Sequence, residues 1–147
     1  MIPNNQPATE LVAALEYEPA GLALDLACGS GRHSRWLAAR GWDVRATDQV
    51  PVELPGIEFT VSDLERDGFT IEGNTWDLIV CWLYWQADLL PGIAAGVRPG
   101  GLVALAGKMT GRFATSLGNY RAAFPGWPEL AAGEDEGRAW FIARRPG

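Results

Sequence analysis

Cysteine and histidine are scarce in this sequence. Its 147 residues include two cysteines, Cys28 and Cys81, and one histidine, His33. Two cysteines do not make a disulfide framework, and with one histidine they do not supply the four ligands of a structural zinc site. The sequence therefore predicts no metal, and a reducing cytoplasm is the simplest expected location.

Long apolar runs and basic clusters are also missing. No apolar run reaches the ~20 residues that a membrane-spanning helix needs. Residues 1–5 lack the charged and apolar regions of a secretory signal peptide. The formal net charge is −6, and no Lys/Arg cluster occurs beyond Arg144 and Arg145. This balance disfavours a nucleic-acid partner, because nucleic-acid-binding domains usually present a basic face.

The composition is that of an ordinary globular protein. Hydrophobic residues make up 48% of the chain and charged residues 20%, and this length is enough to bury a core. The chain has no linker, internal repeat or low-complexity tract. We expect a single domain that spans residues 1–147.

The most informative stretch is a glycine-rich turn near the N-terminal end. The apolar run of residues 23–27 leads into Gly29 and Gly31, and a helix-like segment at residues 34–40 stops at Gly41. This order predicts the strand, tight loop and helix of a nucleotide-binding half-fold. The glycines keep side chains away from a bound ligand, and the helix offers free N–H groups at its first turn.

An acidic residue follows at the spacing expected for a ribose contact. Residues 42–48 are typical of a second strand that ends in Asp48, 19 residues after Gly29. An acid about 20 residues beyond the first loop glycine binds the ribose hydroxyls in adenosine-binding folds. A strand-to-helix turn with a surface acid is the simpler alternative.

Two residues favour S-adenosylmethionine (SAM) over a dinucleotide. The dinucleotide pattern G-x-G-x-x-G has its third glycine where this chain has Ser34. Asp25 lies inside the first strand, four residues before Gly29, where its carboxylate would repel a pyrophosphate and attract an ammonium group. SAM carries an ammonium, a sulfonium and no phosphate.

At these residues the chain resembles the Rossmann-like SAM-dependent methyltransferases, whose loop pattern is acid-x-G-x-G-x-G. Here the pattern becomes Asp25-x-Ala27-x-Gly29-x-Gly31, with alanine at the first glycine position. The turn at residues 97–103, VRPGGLV, is similar to the turn before the fifth strand in many members. Within the family, residues 25–34 most resemble small bacterial methyltransferases of the tellurite-resistance type.

The resemblance implies an α/β fold: a three-layer, Rossmann-like sandwich with a mostly parallel sheet and a C-terminal antiparallel hairpin. The helix between the second and third strands should be shortened, because Pro51 and Pro55 leave room for one turn at most. Helices are expected at residues 6–18, 34–40, 88–97 and 112–124. Strands are expected at residues 23–27, 42–48, 57–61, 76–82, 102–106, 129–132 and 138–143, with the hairpin loop at 133–137.

The resemblance also assigns a cofactor site. Asp63 follows the third strand, where an acid in this family bonds the adenine amino group, although Ser62 and Asp63 also favour a turn or helix cap. The residues assigned to cofactor binding are Asp25, Ala27, Cys28, Gly29, Ser30, Gly31, Asp48, Gln49, Asp63, Leu64 and Cys81.

Aromatic residues mark the expected acceptor pocket. Trp82, Tyr84 and Trp85 leave the fourth strand at its carboxyl end, where the methyl group of the cofactor points in the resembled family. Aromatic walls suit a small, partly apolar molecule, and a ring face also stabilises a nearby cation. Alternatively, two of the three rings only pack beneath the following helix.

Three further residues have two interpretations each. His33 lies at the start of the helix, where the helix dipole disfavours a protonated ring. It either orders the loop or serves as a general base. Cys28 follows the first strand and Cys81 closes the fourth, and the resemblance implies that these two strands are neighbours. The two cysteines are either small buried side chains or reactive thiols near the cofactor.

The predicted function is methyl transfer from SAM to a small-molecule acceptor. The reaction is an in-line displacement at an activated sulfonium, so positioning supplies much of the rate enhancement. We expect SAM as the cofactor, no membrane partner, and a monomer or homodimer. A non-catalytic SAM-binding protein and an NAD-dependent oxidoreductase are the alternatives, although the chain is short for a separate oxidoreductase catalytic domain.

Overall fold

The computed structural model describes residues 6–67 and 69–147, which form one seven-stranded sheet with helices packed on it. Residues 1–5, on which the signal-peptide argument rests, lie outside the described part. The helices are α1 (Thr9–Leu15), α2 (Arg32–Ala39), α3 (Leu90–Gly96), preceded by a 3-10 turn (Ala87–Leu89), and α4 (Leu117–Ala123). The strands are β1 (Leu22–Leu26), β2 (Asp43–Asp48), β3 (Glu58–Val61), β4 (Trp76–Trp82), β5 (Val97–Lys108), β6 (Glu129–Asp135) and β7 (Arg138–Arg144).

The strand order across the sheet is β3-β2-β1-β4-β5-β7-β6. The first five are parallel, β7 is antiparallel to β5, and β6 is antiparallel to β7. This order reverses between β1 and β4, and ligands of open α/β sheets bind beyond the carboxyl ends of the strands at such a reversal. The predicted sandwich with its antiparallel C-terminal hairpin is confirmed.

The two faces of the sheet carry separate cores, because successive residues of a strand point to opposite sides. On one face, Cys81 of β4 belongs to a buried cluster with Tyr120 of α4. On the other face, Trp82 belongs to a cluster with Leu11 of α1 and Leu37 of α2. Neighbouring residues of β4 therefore serve different layers of the sandwich.

Three helices are shorter than the sequence predicts, and one of them is α3, which covers Leu90–Gly96 instead of residues 88–97. The first, α1, has seven residues instead of extending over residues 6–18. The last, α4, begins after Ser116 rather than at residue 112, because the Ser116 hydroxyl accepts a hydrogen bond from the Asn119 amide at 3.3 Å and caps the helix. Across residues 6–67 and 69–147, no helix has the length and apolar character that crossing a bilayer requires.

The C-terminal hairpin has a tighter turn than the predicted loop at residues 133–137. Strand β6 continues to Asp135, and Glu136 and Gly137 connect it to β7. Both turn residues have positive φ angles, of 52° and 77°. This is the backbone of the two-residue turns that match the twist of antiparallel strands.

The connection between β2 and β3 contains no helix within the described residues 49–57. Leu54 holds this segment in place, since it is buried against Cys28 and Ala46. The predicted shortening is confirmed, and Leu54 and Val52 pack the connection against Cys28 and Ala46.

A buried carboxyl group joins β1 to α2. Asp25 is 1% exposed, and its Oδ2 accepts a hydrogen bond from the Ser34 hydroxyl at 2.7 Å. Burial raises the pKa of Asp25 to about 7, against the opposing effect of the bonds from Ser34, and the Asp48 carboxylate adds to the rise. Near neutral pH, both the protonated and the ionised form of Asp25 are therefore populated.

A second close contact fixes the loop after β5. The Lys108 carbonyl accepts a hydrogen bond from the Thr115 amide at 2.8 Å, which closes the loop of residues 109–114. A Cβ atom on Gly107 would collide with the Thr115 side chain and lie 2.7 Å from the Tyr120 hydroxyl. The loop thus returns to the sheet at a position where only glycine leaves room.

Replacing Gly107 by alanine should destabilise the protein by about 1–3 kcal/mol, because the added methyl group overpacks this contact. Gly118→Ala is the matched control. Gly118 is exposed in α4 and has room for a Cβ atom, so this change should stabilise the helix by about 0.5–1 kcal/mol. Urea unfolding followed by circular dichroism measures both, and equal effects would contradict the close contact at Gly107.

The free energy of unfolding should fall between about pH 4 and pH 7, because Asp25 stays protonated in the folded protein while it ionises in the unfolded chain. One such group contributes at most about 1.4 kcal/mol per pH unit. Asp25→Asn keeps an oxygen for Ser34. Its free energy of unfolding, measured by urea titration, should decline less steeply over this pH range than that of the parent. The exposed-site control Asp135→Asn should follow the parent. Parallel profiles of Asp25→Asn and the parent would show that the folded protein holds Asp25 ionised.

Candidate functional site

The loop between β1 and α2 has the backbone of a ligand-binding turn. Ala27, Gly29 and Gly31 have positive φ angles of 53°, 60° and 84°. Gly29 has no non-neighbouring heavy atom within 4 Å of the place where a Cβ would lie, so open space adjoins its backbone. Ala27 takes the left-handed conformation at a cost of about 1–2 kcal/mol. The loop therefore keeps the glycine-like geometry of the resembled pattern despite the alanine.

Asp48 lies at the carboxyl end of β2 and faces this loop. Its Oδ1 accepts a hydrogen bond from the Gly29 amide at 3.1 Å, and its Oδ2 accepts one from the Val50 amide at 3.0 Å. Each carboxylate oxygen has a second lone pair, so Asp48 can accept further bonds from a ligand. The carboxylate is thereby fixed beside the open backbone of Gly29.

A cavity of about 100 Å³ lies next to Asp48 and brings together five of the residues predicted to bind a cofactor. Three of its lining residues are acidic and none is a lysine or arginine, so its walls favour cations over phosphates. The predicted residues in its lining are Ala27, Asp48, Gln49, Asp63 and Leu64, and the others are Ser62, Glu65 and Tyr84.

Asp63 caps the turn that follows β3. Its Oδ1 accepts hydrogen bonds from the amides of Glu65 and Arg66 at 3.1 and 3.3 Å. These bonds match the capping interpretation of Asp63 and leave Oδ2 for another donor. The capping role and a ligand contact are therefore compatible.

The other predicted cofactor residues lie outside the lining of this cavity. Asp25 is buried below the loop and bonded to Ser34, so its predicted contact with an ammonium group stays a prediction. Gly29 and Ser30 are exposed on the loop. The predicted residues outside the lining are Asp25, Cys28, Gly29, Ser30, Gly31 and Cys81.

Both thiols are buried near the carboxyl ends of their strands. Burial raises the pKa of Cys28 and of Cys81 to about 12, so both remain protonated at neutral pH. The Cys81 thiol donates to the Tyr84 carbonyl at 3.6 Å. This geometry favours the interpretation of the cysteines as small buried side chains. Among residues 6–67 and 69–147, no group of three His, Cys, Asp or Glu side chains is placed to hold a metal ion.

His33 connects α2 to the start of α1. Its Nε2 accepts a hydrogen bond from the Ala8 amide at 3.1 Å, and its ring meets Trp82 edge-on at 5.7 Å. Burial lowers the pKa of His33 to about 4, and the neighbouring Arg32 adds to the effect. The neutral imidazole is thus engaged in a structural contact, which favours the ordering role over general-base catalysis.

A larger cavity of about 400 Å³ lies at the carboxyl ends of β4 and β5, and Tyr84 lines both cavities. The Tyr84 hydroxyl donates to Gln86 Oε1 at 2.6 Å, and Gln86 Nε2 donates to the Leu64 carbonyl at 3.3 Å. The wall between the cavities is therefore held by hydrogen bonds. The lining residues of the larger cavity are Leu83, Tyr84, Trp85, Lys108, Thr110, Gly111, Arg112 and Phe113.

The aromatic residues predicted for the acceptor pocket separate in the structure. Tyr84 and Trp85 line the larger cavity, whereas Trp82 is buried on the opposite face of β4 with the helices α1 and α2. Trp85 meets the ring of Tyr120 edge-on at 5.4 Å. Two of the three rings are thus available to a molecule in the larger cavity.

Sequence reasoning missed the residues that follow β5. Lys108, Arg112 and Phe113 line the larger cavity, whereas the sequence predicts a helix over residues 112–124. The position of these residues in the sequence could have predicted this wall. The carboxyl ends of parallel strands share one edge of the sheet, so residues after β5 lie near those after β4.

Comparisons with known proteins agree with this geometry. The family model described as tellurite resistance protein TehB matches residues 5–87. A trans-aconitate 2-methyltransferase from Methylobacterium radiotolerans is 33% identical over 114 residues, which cover 68% of this chain and 43% of that protein. The chain therefore spans less than half the length of this relative.

Two solved structures share the fold. TehB from Haemophilus influenzae has a TM-score of 0.77 at 16% identity, and the match covers 95% of this chain and 62% of that one. A SAM-dependent methyltransferase from Mesorhizobium loti has a TM-score of 0.74 at 17% identity, with coverage of 94% and 98%. The predicted resemblance to methyltransferases of the tellurite-resistance type is confirmed. Because the family model covers more than half of the sequence, including the glycine-rich loop, Asp48 and Asp63, the chain belongs to the TehB family.

Proposed function

We propose that the protein transfers a methyl group from SAM to a small-molecule acceptor. The observation that carries the proposal is the charge of the smaller cavity, whose lining includes Asp48, Asp63 and Glu65 and no lysine or arginine. A dinucleotide brings a pyrophosphate, which needs cationic or N–H partners. SAM brings a sulfonium and an ammonium, which acidic walls favour.

The residues present fit the adenosine part of SAM. Asp48 has acceptor capacity for the ribose hydroxyls beside the open backbone of Gly29. Asp63 has its Oδ2 for the adenine amino group. The smaller cavity is below the usual size of a ligand pocket, so it holds only part of SAM, and the larger cavity begins on the other side of Tyr84.

The protein's part in this reaction is positioning. When bound, SAM supplies an activated methyl group on a sulfonium, so the main requirement is to align two reactants. Asp25 holds the first turn of α2 through Ser34 and so supports the loop. Tyr84, whose hydroxyl is held by Gln86, forms the wall between the donor and acceptor sides, and Trp85 adds a second aromatic wall.

The relatives support the same reaction class. The Methylobacterium relative is named for methylation of trans-aconitate, and the Mesorhizobium protein is described as SAM-dependent. This chain spans 43% of the length of the former, so turnover must be measured for this chain itself. A non-catalytic SAM-binding protein would bind the cofactor and transfer no methyl group.

We also propose a cytoplasmic location, a monomer or homodimer, and a single methyltransferase domain over residues 1–147. The formal net charge of −6 supports a small-molecule acceptor over a nucleic acid.

S-adenosylhomocysteine (SAH), the product of the reaction, should stabilise the folded protein. A ligand at 100 times its dissociation constant adds about 2.7 kcal/mol to the free energy of unfolding. Differential scanning fluorimetry with millimolar SAH measures this stabilisation, with NADH as the comparison ligand. A folded protein that shows no shift with SAH, or a larger shift with NADH, would contradict the proposal.

Asp48→Asn should weaken SAH binding by about 1.5–3 kcal/mol, the usual value of hydrogen bonds to a charged group. Asp43→Asn removes the same charge from the amino end of β2, where the side chain is exposed, and should leave SAH affinity unchanged. Isothermal titration calorimetry compares both variants with the parent. If Asp48→Asn binds as tightly as Asp43→Asn, the ribose lies elsewhere.

A further inference from the structure

The charged residues that line the larger cavity are basic, whereas the protein as a whole carries a negative net charge. The chain carries a formal net charge of −6 and a single lysine, Lys108. That lysine and Arg112 both line the cavity, and its lining contains no aspartate or glutamate. A cleft lined by charge of one sign attracts ligands of the other sign. This cleft therefore favours an anion, in contrast to the acidic cavity on the other side of Tyr84.

Both cations are available for a ligand. Lys108 is exposed at the end of β5, and within residues 6–67 and 69–147 no carboxylate lies within ion-pair distance of it. The Arg112 guanidinium lies 5.0 Å from the centre of the Phe113 ring and forms no ion pair within those residues. By contrast, all four arginines on the strands are paired with a carboxylate, as Arg45 is with Glu58 at 3.0 Å.

The register of the sheet places a second positive charge near Lys108. Lys108 lies directly opposite Arg138 in the antiparallel pair of β5 and β7. Like charges at facing positions of a sheet repel each other. Glu10 compensates Arg138 at 2.9 Å, and an anion beside Lys108 would offset the remaining charge.

The fold orders the backbone that carries these two side chains. Lys108 and Arg112 belong to the loop that the Thr115 amide closes on the Lys108 carbonyl at 2.8 Å, and Gly107 allows this close return. Glu65 and Asp88 line the adjoining cavity, which shares Arg112 with the larger one. An anion is therefore directed to the Lys108 side of Arg112.

The cavity offers no residue suited to take a proton from an acceptor. Burial raises the pKa of Tyr84 to about 12, and the nearby acidic side chains add to the rise. The ring of His33 is buried among other residues and bonded to Ala8. An acceptor that must lose a proton as it reacts would find no base in this cavity, whereas an acceptor that is already ionised at neutral pH needs none.

We propose that the acceptor is a small organic acid with an apolar or aromatic body, and that its carboxylate binds Lys108 and Arg112. Tyr84, Trp85 and Phe113 supply the aromatic surface for the body. The inference rests on the proposed methyltransferase function. A carboxylate oxygen forms a bond to the methyl carbon, the carbon–sulfur bond breaks, and its electron pair stays on sulfur. The products are a methyl ester and neutral SAH, and no proton moves.

The test compares acids with their neutral amides. The protein saturated with SAH is titrated by calorimetry with benzoate, phenylacetate and cinnamate, and with the three corresponding amides. The acids should bind about tenfold or more tightly than the amides. Lys108→Gln and Arg112→Gln should each remove most of this preference while SAH affinity stays at the parent value. With SAM in place of SAH, mass spectrometry should detect the methyl ester of the acid that binds best.

Arg40→Gln is the matched control and loses the same charge. Arg40 follows α2 just before β2 begins, near the amino ends of the strands and away from the carboxyl-end cavity. It should keep the preference for acids. The inference is overturned if amides bind as well as acids, if no acid binds, if Arg40→Gln acts like Lys108→Gln, or if the methyl group is found on an atom outside the carboxylate. Failure of SAH itself to bind would instead refute the methyltransferase function.

Discussion

The hydrogen bond between Asp25 and Ser34 is the contact on which the site depends. It ties the end of β1 to the first turn of α2 at 2.7 Å, so the intervening loop must reverse within a few residues. The reversal requires the left-handed backbone at Ala27, Gly29 and Gly31. It also brings the Gly29 amide to the Asp48 carboxylate at 3.1 Å. The protein keeps this contact although burial makes the ionised form of Asp25 costly.

The edge of the sheet beyond this loop is divided by charge. Asp48, Asp63 and Glu65 line the smaller cavity, whereas Lys108 and Arg112 line the larger one. Tyr84 stands between the two sides and lines both cavities. A cationic methyl donor and an anionic acceptor would each be attracted to one side, so the arrangement favours productive orientation of the pair.

The sequence was most informative where a backbone requirement dictates residue type. Gly29, Gly31 and the spacing to Asp48 predicted the loop and the acid that faces it, and Pro51 and Pro55 predicted the shortened connection between β2 and β3. Contacts between distant residues were not predictable. The loop that follows Lys108 depends on the close approach of Thr115 and Tyr120 to Gly107. The start of α4 after Ser116, instead of at the predicted residue 112, depends on a local cap.

The proposed function places the adenosine part of SAM between Asp48 and Asp63. The most direct measurement is a crystal structure of the complex with SAH. In that complex both ribose hydroxyls should lie within about 3.2 Å of the Asp48 carboxylate, the normal limit for such hydrogen bonds, with the sulfur on the Tyr84 side. A complex in which the ribose makes no contact with Asp48, or in which SAH occupies another cleft, would contradict it.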